Sequence, residues 1–366
     1  MTKKTIHLIA GARPNFMKIA PLWHALAACP WCRPVIVHTG QHYNANMSEQ
    51  FFQDFAIDEP EYHLGVGSGT HAVQTASVMT AYDAIIEKDL PDLVVVVGDV
   101  NSTIAAALVA SKRGIPLAHL EAGLRSYDRA MPEEINRILT DSIADILWTP
   151  SPDADENLRR ENVSDSRIER VGNIMIDSFE MLRDKIEADT TAHELGLEAQ
   201  GYGVVTLHRP SNVDDRSVLT SIVSMLCNLS ADLPLAFPIH PRTHQALDKF
   251  DLTSLLENAN IHLLEPLGYI QFMGLVSGSR LVITDSGGIQ EETSYLGIPC
   301  LTLRANTERP ITVTEGTNQL VTDDDLLARV KDVLAGPKRK STAIDLWDGH
   351  TASRILEHIK EFLDVQ

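Results

Sequence analysis

Three carboxylates, a handful of cations and one serine-glycine turn in this chain have the types and spacing to do chemistry together. Asp99 follows Val94-Val95-Val96-Val97-Gly98, Glu121 follows His119-Leu120 and precedes Ala122-Gly123, and Glu133 follows Pro132. All three fall just past an apolar run or at a helix start, where a carboxylate can meet a bound molecule. Such groups, crowded at one site, raise one another's pKa and become proton donors and acceptors near neutral pH. Taken alone, Asp99 reads first as a turn or helix-capping residue. Glu133 and Arg137 are also spaced i, i+4 for an ordinary helix ion pair.

A second set of residues suits an anion. Gly11-Ala12-Arg13-Pro14-Asn15-Phe16-Met17-Lys18 turns from an apolar run into a helix, so Arg13 and Lys18 flank free amides at a positive dipole end. That is a diphosphate site in outline, although both cations could equally be surface residues. Asp285-Ser286-Gly287-Gly288-Ile289-Gln290-Glu291-Glu292 has the same design, with Ser286 and the Gly287 and Gly288 amides at a helix entrance. Glu292, one turn on, is placed to accept hydrogen bonds from ribose hydroxyls. His208-Arg209 ends another apolar run, His240-Pro241-Arg242 repeats the arrangement, and Arg309 offers one more cation.

The elements that must position these residues alternate. Thr5–Ala10, Pro34–His38, Asp92–Gly98, Pro116–Leu120, Ile146–Thr149 and Ile168–Val171 read as strands, with helical patterns over Met17–Ala28, Ser102–Arg113 and Glu133–Asp145 between them. The pattern restarts with Gly203–Leu207, Leu235–Ile239, Ile261–Leu264, Leu281–Thr284 and Cys300–Leu303. Fully apolar strands imply parallel sheets covered by helices on both faces. The fold class expected is therefore α/β, with two Rossmann-like doubly wound domains facing a cleft. The expected boundaries are 1–180 for a domain carrying the acid/base groups, 181–200 for a charged, Ala-rich connection, and 201–345 for a nucleotide-binding domain. A final helix in 346–366 is expected to return to the first domain.

Length and charge agree with this organisation. The 366 residues suggest two domains. With 31 basic against 50 acidic residues, the net charge of −19 argues against a nucleic-acid or anionic-membrane partner. No run approaches the ~18 apolar residues of a membrane span, and the short apolar stretch Thr5–Ala10 is too brief for a signal peptide. A cytoplasmic location is the simplest expectation. Cys29-Pro30-Trp31-Cys32 has C-x-x-C spacing, but it does not open a helix and has no second pair to complete a zinc site. Gly65-Val66-Gly67-Ser68-Gly69-Thr70 is not a dinucleotide fingerprint, and reads as a loop.

In combination and order, Gly-Ala-Arg-Pro (11–14), Thr-Gly-Gln-His (39–42), Gly-Asp (98–99), His-Leu-Glu-Ala-Gly-Leu-Arg (119–125), Pro-Glu-Glu (132–134), Val-Gly-Asn (171–173), Asp-Ser-Gly-Gly-Ile-Gln-Glu-Glu (285–292) and Glu-Arg-Pro (308–310) make the chain resemble the non-hydrolysing UDP-N-acetylglucosamine 2-epimerases. The resemblance implies a glycosyltransferase-B-like fold, a homodimer, a UDP-sugar substrate, and a place in supplying surface polysaccharide synthesis. It further implies that Arg13, Lys18, His208, Ser286, Gly287, Gly288 and Arg309 hold the diphosphate, Glu292 the ribose, and Phe272 the uracil. Asp99, Glu121 and Glu133 would be the acid/base groups, with His208 stabilising or protonating the leaving UDP.

The chemistry would be loss of UDP from C1 as C2 loses its proton, giving 2-acetamidoglucal, then re-addition with the proton on the other face. No metal or other cofactor is required. A route through oxidation at C3 would need a nicotinamide, for which the chain has no fingerprint. Asn15 and Leu267 stand where the family often has Glu and Gln, which leaves room for a modified sugar. Tyr43 and Ser68-Gly69 replace cations of a second, activating UDP-GlcNAc site found in some bacterial members. The rival readings are a 2-epimerase of another UDP-2-acetamido sugar such as the 2,3-diacetamido uronic acid, a hydrolysing epimerase, a glycosyltransferase of similar fold, and a nucleotide-sugar-binding regulator.

Overall fold

The structure, a computed structural model, describes residues 3–40, 52–336 and 343–365, without the Arg13 side chain. Gln41, His42 and Tyr43 of the sequence argument lie outside the described residues. The chain forms two compact units, one of Met1–Met181 with Asp345–Gln366 and one of Leu182–Ile344.

The first unit is built on seven parallel strands: β1 (Lys4–Ala10), β2 (Cys32–His38), β3 (Tyr62–His63), β4 (Leu93–Val97), β5 (Leu117–Leu120), β6 (Ile146–Thr149) and β7 (Ile168–Arg170). Their order across the sheet is β3-β2-β1-β4-β5-β6-β7. Every residue of β4 is buried, as a strand covered on both faces must be. Sheet order reverses between β1 and β4, so the loops after these two strands diverge and open a crevice at their carboxyl ends.

The second unit repeats the design with six parallel strands: β8 (Gly203–Thr206), β9 (Leu235–Pro238), β10 (Ile261–Leu264), β11 (Leu281–Thr284), β12 (Cys300–Leu303) and β13 (Asn318–Val321). The order is β10-β9-β8-β11-β12-β13, with the reversal between β8 and β11. The two parallel-sheet α/β domains bear out the expected fold class.

Two strands had no counterpart in the sequence reading. Tyr62–His63 is only two residues long and pairs with the end of β2, too short for a periodic signal. Asn318–Val321 opens with Asn-Gln, which reads as a loop; Asn318 is nevertheless buried, donating to Gln290 Oε1 (2.9 Å) and Thr312 Oγ1 (3.1 Å). The helix Ile174–Glu187 runs across the boundary between the units, and Thr191–Glu194 forms one further turn in the second.

The closing helix Thr351–Phe362 belongs to the first unit and packs on the helix Arg13–Ala27. Its entrance is capped from a distance: Asp177 accepts hydrogen bonds from the Thr351 N–H (3.1 Å) and the Ala352 N–H (2.8 Å). Trp347 Nε1 donates to the Pro150 carbonyl at 2.9 Å beside it.

The C-x-x-C pair is unbridged. Burial pushes the Cys32 thiol up to about 12, the opposite of the lowered value of a reactive C-x-x-C thiol. Among the described residues no helix is long and apolar enough to cross a membrane, and no cluster of His, Cys, Asp and Glu could hold a metal ion.

Candidate active site

In the first unit the crevice is assembled by the turns after β1, β4 and β5. Asn15 ties two of them: its Oδ1 accepts from the Gly11 and Ala12 N–H groups (3.1 and 2.9 Å), and its Nδ2 donates to the Val97 carbonyl at 3.1 Å. This buried amide is thus a clamp between the ends of β1 and β4. One turn later Lys18 forms an ion pair with Glu121, both nearly buried at 9% and 7% exposure.

Glu121 adopts a left-handed backbone, φ +73°. A non-glycine residue held there costs about 1–3 kcal/mol, a strain that clusters at functional sites. Two backbone bonds fix it, from the Glu121 and Ala122 N–H groups to the Trp148 carbonyl (3.1 and 3.0 Å). Gly98, itself at φ +66°, lies directly against this pair. A Cβ there would come within 3.2 Å of Glu121 Oε2 and 3.4 Å of Lys18 Nζ.

Asp99, one residue on and about one-third exposed, pairs with Arg137. Arg137 is itself held by Glu134, with Nη2 to Oε2 at 2.6 Å. Glu134 in turn accepts from the Ser126 N–H (2.9 Å), the Ser126 hydroxyl (3.0 Å) and the Tyr127 N–H (2.9 Å). Burial works to raise the Glu134 carboxyl, but the Ser126 amide and the Arg137 guanidinium outweigh it and hold it below the usual range.

The expected Glu133–Arg137 helix pair is therefore not the one that forms. Arg137 turns inward to the buried Glu134 and reaches the partly exposed Asp99 rather than the half-buried i−4 carboxylate. Glu133 stays half-buried outside that network. The anticipated crowding of three carboxylates is also modified, because Asp99 and Glu121 emerge on neighbouring strands, each with its own cation.

Behind the site, His119 lies with both ring nitrogens on acceptors: Nδ1 is 2.6 Å from Asp141 and Nε2 is 2.8 Å from the Gly98 carbonyl. Asp141 also binds Arg125 (2.7 Å) and the Gly123 N–H (3.1 Å), and Arg125 continues to Glu161 (2.7 Å). The motif His119-Leu120-Glu121-Ala122-Gly123-Leu124-Arg125 is thus pinned at both ends by one buried carboxylate. Burial alone would raise Asp141, but His119 and Arg125 bring its carboxyl below the usual range.

In the second unit His208 and Asp285 emerge at the ends of β8 and β11. His208 is 40% exposed at its side chain, while Asp285 is fully buried, with Nδ1 to Oδ1 at 2.9 Å. Ser286, Gly287 and Gly288 lead into the helix Gly288–Leu296. The Ser286 N–H is occupied, donating to Thr284 Oγ1 at 2.9 Å. Arg309 crosses beside the turn, where a Cβ on Gly287 would sit 2.6 Å from Glu308 Oε1 and 2.9 Å from Arg309 Nη1. Arg309 is bound by Glu291 (2.9 Å) and Glu308 (2.6 Å), and Glu308 also holds Arg304 (2.7 Å). Burial opposes ionisation of Glu308, yet Arg309 and Arg304 depress its carboxyl far below the usual range.

Glu292 is buried and accepts from the Tyr269 hydroxyl at 2.7 Å. Desolvation, eased by that bond and added to by Glu291, raises its carboxyl to about 7. Phe272, half-buried, sits three residues after Tyr269 on the helix Tyr269–Gly278. A raised carboxyl means the folded chain binds this proton more tightly than the unfolded one. The stability it contributes is full below the ordinary value of 4.5 and is lost as pH rises through about 7. Glu292→Gln keeps an acceptor for Tyr269 and removes the buried charge. The variant is expected to be more stable than the parent by up to about 3 kcal/mol at alkaline pH, with the two converging in acid. Denaturant titrations across that range check it, and a gap independent of pH would contradict it.

The structure thus gathers Lys18, Asp99 and Glu121 at the switch point of the first sheet, and His208, Ser286, Gly287, Gly288, Glu292 and Arg309 around that of the second. The arrangement is that of a two-domain, glycosyltransferase-B-like α/β protein with carboxylates in one unit and a serine-glycine helix entrance in the other. The sequence profile described as UDP-N-acetylglucosamine 2-epimerase matches residues 24–360, and the chain belongs to that family.

A UDP-N-acetylglucosamine 2-epimerase of Methanococcus maripaludis is 41% identical over 325 residues, 87% of this chain and 88% of the relative. A UDP-2,3-diacetamido-2,3-dideoxy-D-glucuronate 2-epimerase of Pseudomonas aeruginosa is 39% identical over 362 residues, 96% and 98% of the two chains. The crystal structure of Methanocaldococcus jannaschii UDP-GlcNAc 2-epimerase in complex with UDP-GlcNAc and UDP superposes with a TM-score of 0.89 at 39% identity, covering 98% of this chain and 99% of that one.

Proposed function

We propose that the chain interconverts UDP-GlcNAc and UDP-ManNAc without hydrolysis, as a homodimer. The observation that carries this reading is Glu121: a strained, nearly buried carboxylate at the end of β5, paired with Lys18 and lodged against Gly98 at the end of β4. A carboxylate removes the C2 proton, its electron pair forms the C1=C2 bond, and the C1–O pair leaves with the UDP phosphate. Re-addition of UDP to the 2-acetamidoglucal, with a proton delivered to the opposite face of C2, gives the epimer. Glu121 and Glu133 include the two acid/base groups, and Asp99, held by Arg137, assists.

Arg13, Lys18, Ser286, Gly287, Gly288 and Arg309 offset the charge that develops on the departing diphosphate. His208 meets its leaving oxygen, Glu292 binds the ribose, and Phe272 the uracil. Arg309 is pre-paired with Glu291 and Glu308, which supports an orienting role as much as a neutralising one. The sequence is redox-neutral and calls for no metal or nicotinamide. The 39% identity to a diacetamido-glucuronate 2-epimerase supports a second reading that differs only in the sugar.

Incubation with UDP-GlcNAc in deuterated water, followed by NMR, tests the proposal. The expected product is UDP-linked sugar carrying deuterium at C2. Free ManNAc and UDP would point to a hydrolase, epimerisation with retained C2 protium would rule out the elimination route, and no conversion of UDP-GlcNAc alongside turnover of the diacetamido substrate would favour the second reading.

A further inference from the structure

We propose that Asp285 is a positioning residue for His208: it accepts the Nδ1–H and stabilises the imidazolium, so that Nε2–H faces the leaving phosphoryl oxygen and can give it the proton; this rests on the role given to His208 above. The argument begins in the sheet. Strands β8 and β11 are parallel neighbours with Thr206 opposite Thr284, so the residues that follow each strand leave side by side. Asp285 then becomes a fully buried acceptor for a ring of donors. It receives the His208 N–H (3.0 Å), the Arg209 N–H (2.9 Å), the Asn212 side-chain amide (3.1 Å) and His208 Nδ1 (2.9 Å). Burial works to raise the Asp285 carboxyl, but the His208 ring and these amides hold it below the usual range, so it is anionic and can only accept. His208 Nδ1 is consequently a donor, and Nε2 is the ring atom that takes up a proton to form the imidazolium and gives it to the leaving oxygen, or takes it back on re-addition.

The other groups facing His208 favour the same assignment. The His240 ring lies 5.5 Å from the His208 ring, and its Nδ1 accepts the Arg242 N–H at 3.2 Å. Burial and then the charge of His208 lower the His240 pKa, with Asp285 opposing and Arg242 assisting, so His240 is neutral and does not compete for positive charge. Arg209 turns its Nε to the Asp285 carbonyl at 3.0 Å, which fixes the backbone from which the carboxylate projects. Asp285 is inaccessible, so it cannot itself meet substrate.

The experiment uses the whole enzyme. In Asp285→Asn a neutral amide replaces the carboxylate facing Nδ1, which removes the charge that stabilises the imidazolium and the obligatory acceptor that orients the ring. The kcat for UDP-sugar epimerisation is expected to fall at least about 10-fold, with the affinity for UDP within about 3-fold of the parent. His208→Ala is expected to be slow as well, and the Asp285→Asn/His208→Ala double variant no slower than His208→Ala, because the two act as one unit. Nitrogen NMR of histidine-labelled parent enzyme reads the tautomer directly, so a variant that fails to fold still leaves a decisive measurement.

A parent His208 protonated on Nε2 alone, full turnover by Asp285→Asn beside a slow His208→Ala, or additive losses in the double variant would each overturn the positioning role. Full turnover by His208→Ala would instead overturn the role of His208 itself.

Discussion

Glu121→Gln is expected to slow epimerisation by about 10²- to 10⁴-fold, the range contributed by a positioned general acid or base, while UDP still binds. The substitution keeps shape and an acceptor for the Lys18 ammonium, and it leaves untouched the backbone bonds to Trp148 that hold the left-handed turn. What it removes is the ability to take and return a proton. The variant also separates the faces of C2. If Glu121 serves one face and Glu133 the other, Glu121→Gln and Glu133→Gln block washout of C2 deuterium from opposite epimers. Undiminished turnover in Glu121→Gln would remove Glu121 from the chemistry altogether, and would leave its strained backbone without a role.

The second large effect is on stability. Asp141 is the shared partner of His119, Arg125 and the Gly123 amide, all in the interior of the first unit. Asp141→Ala strands an arginine and a histidine away from water, and breaking a buried pair in this way costs about 3–5 kcal/mol. In a unit of this size that corresponds to a fall in Tm of roughly 6–20 °C. Because the Asp141 carboxyl is depressed in the folded chain, its contribution is present above the ordinary carboxylate range and is lost as pH falls below that range through the lowered folded value. The gap between parent and variant is therefore expected to narrow in acid. Scanning calorimetry at several pH values checks both, and a Tm within a degree or so of the parent at neutral pH would show that Arg125 finds sufficient compensation in Glu161.

The strands and the residues just after them were legible because a doubly covered parallel sheet leaves a plain imprint. Leu93–Val97 has no polar residue to obscure it, and a ligand site must form where such strands end. The partners were not legible. Asp141, Glu134, Asp285 and Tyr269 look like ordinary helix, cap or core residues until tertiary contact shows which side chain each one serves. Their one local signal is a polar group on an inward face, as with Asp141 in the helix Pro132–Ile143. The i, i+4 rule chose Glu133 for Arg137 because it weighs sequence spacing alone; in the structure the buried Glu134 takes Arg137, where desolvation strengthens the bond, and Asp99 is a second, partly exposed partner. Asn15 was read as a departure that leaves room for a modified sugar; what the sequence did not show is that its amide joins two strand ends.

The return of the helix Thr351–Phe362 to the first unit has a consequence for biogenesis. Residues 182–344 are an insertion within the first unit, and they emerge from the ribosome before its last helix does. The second unit can complete its sheet during synthesis, whereas the helix Arg13–Ala27 waits for its partner until residue 362 is made. The first unit, which holds Glu121, therefore cannot complete its packing until the last stretch of the chain is available, whereas the second unit is continuous in sequence.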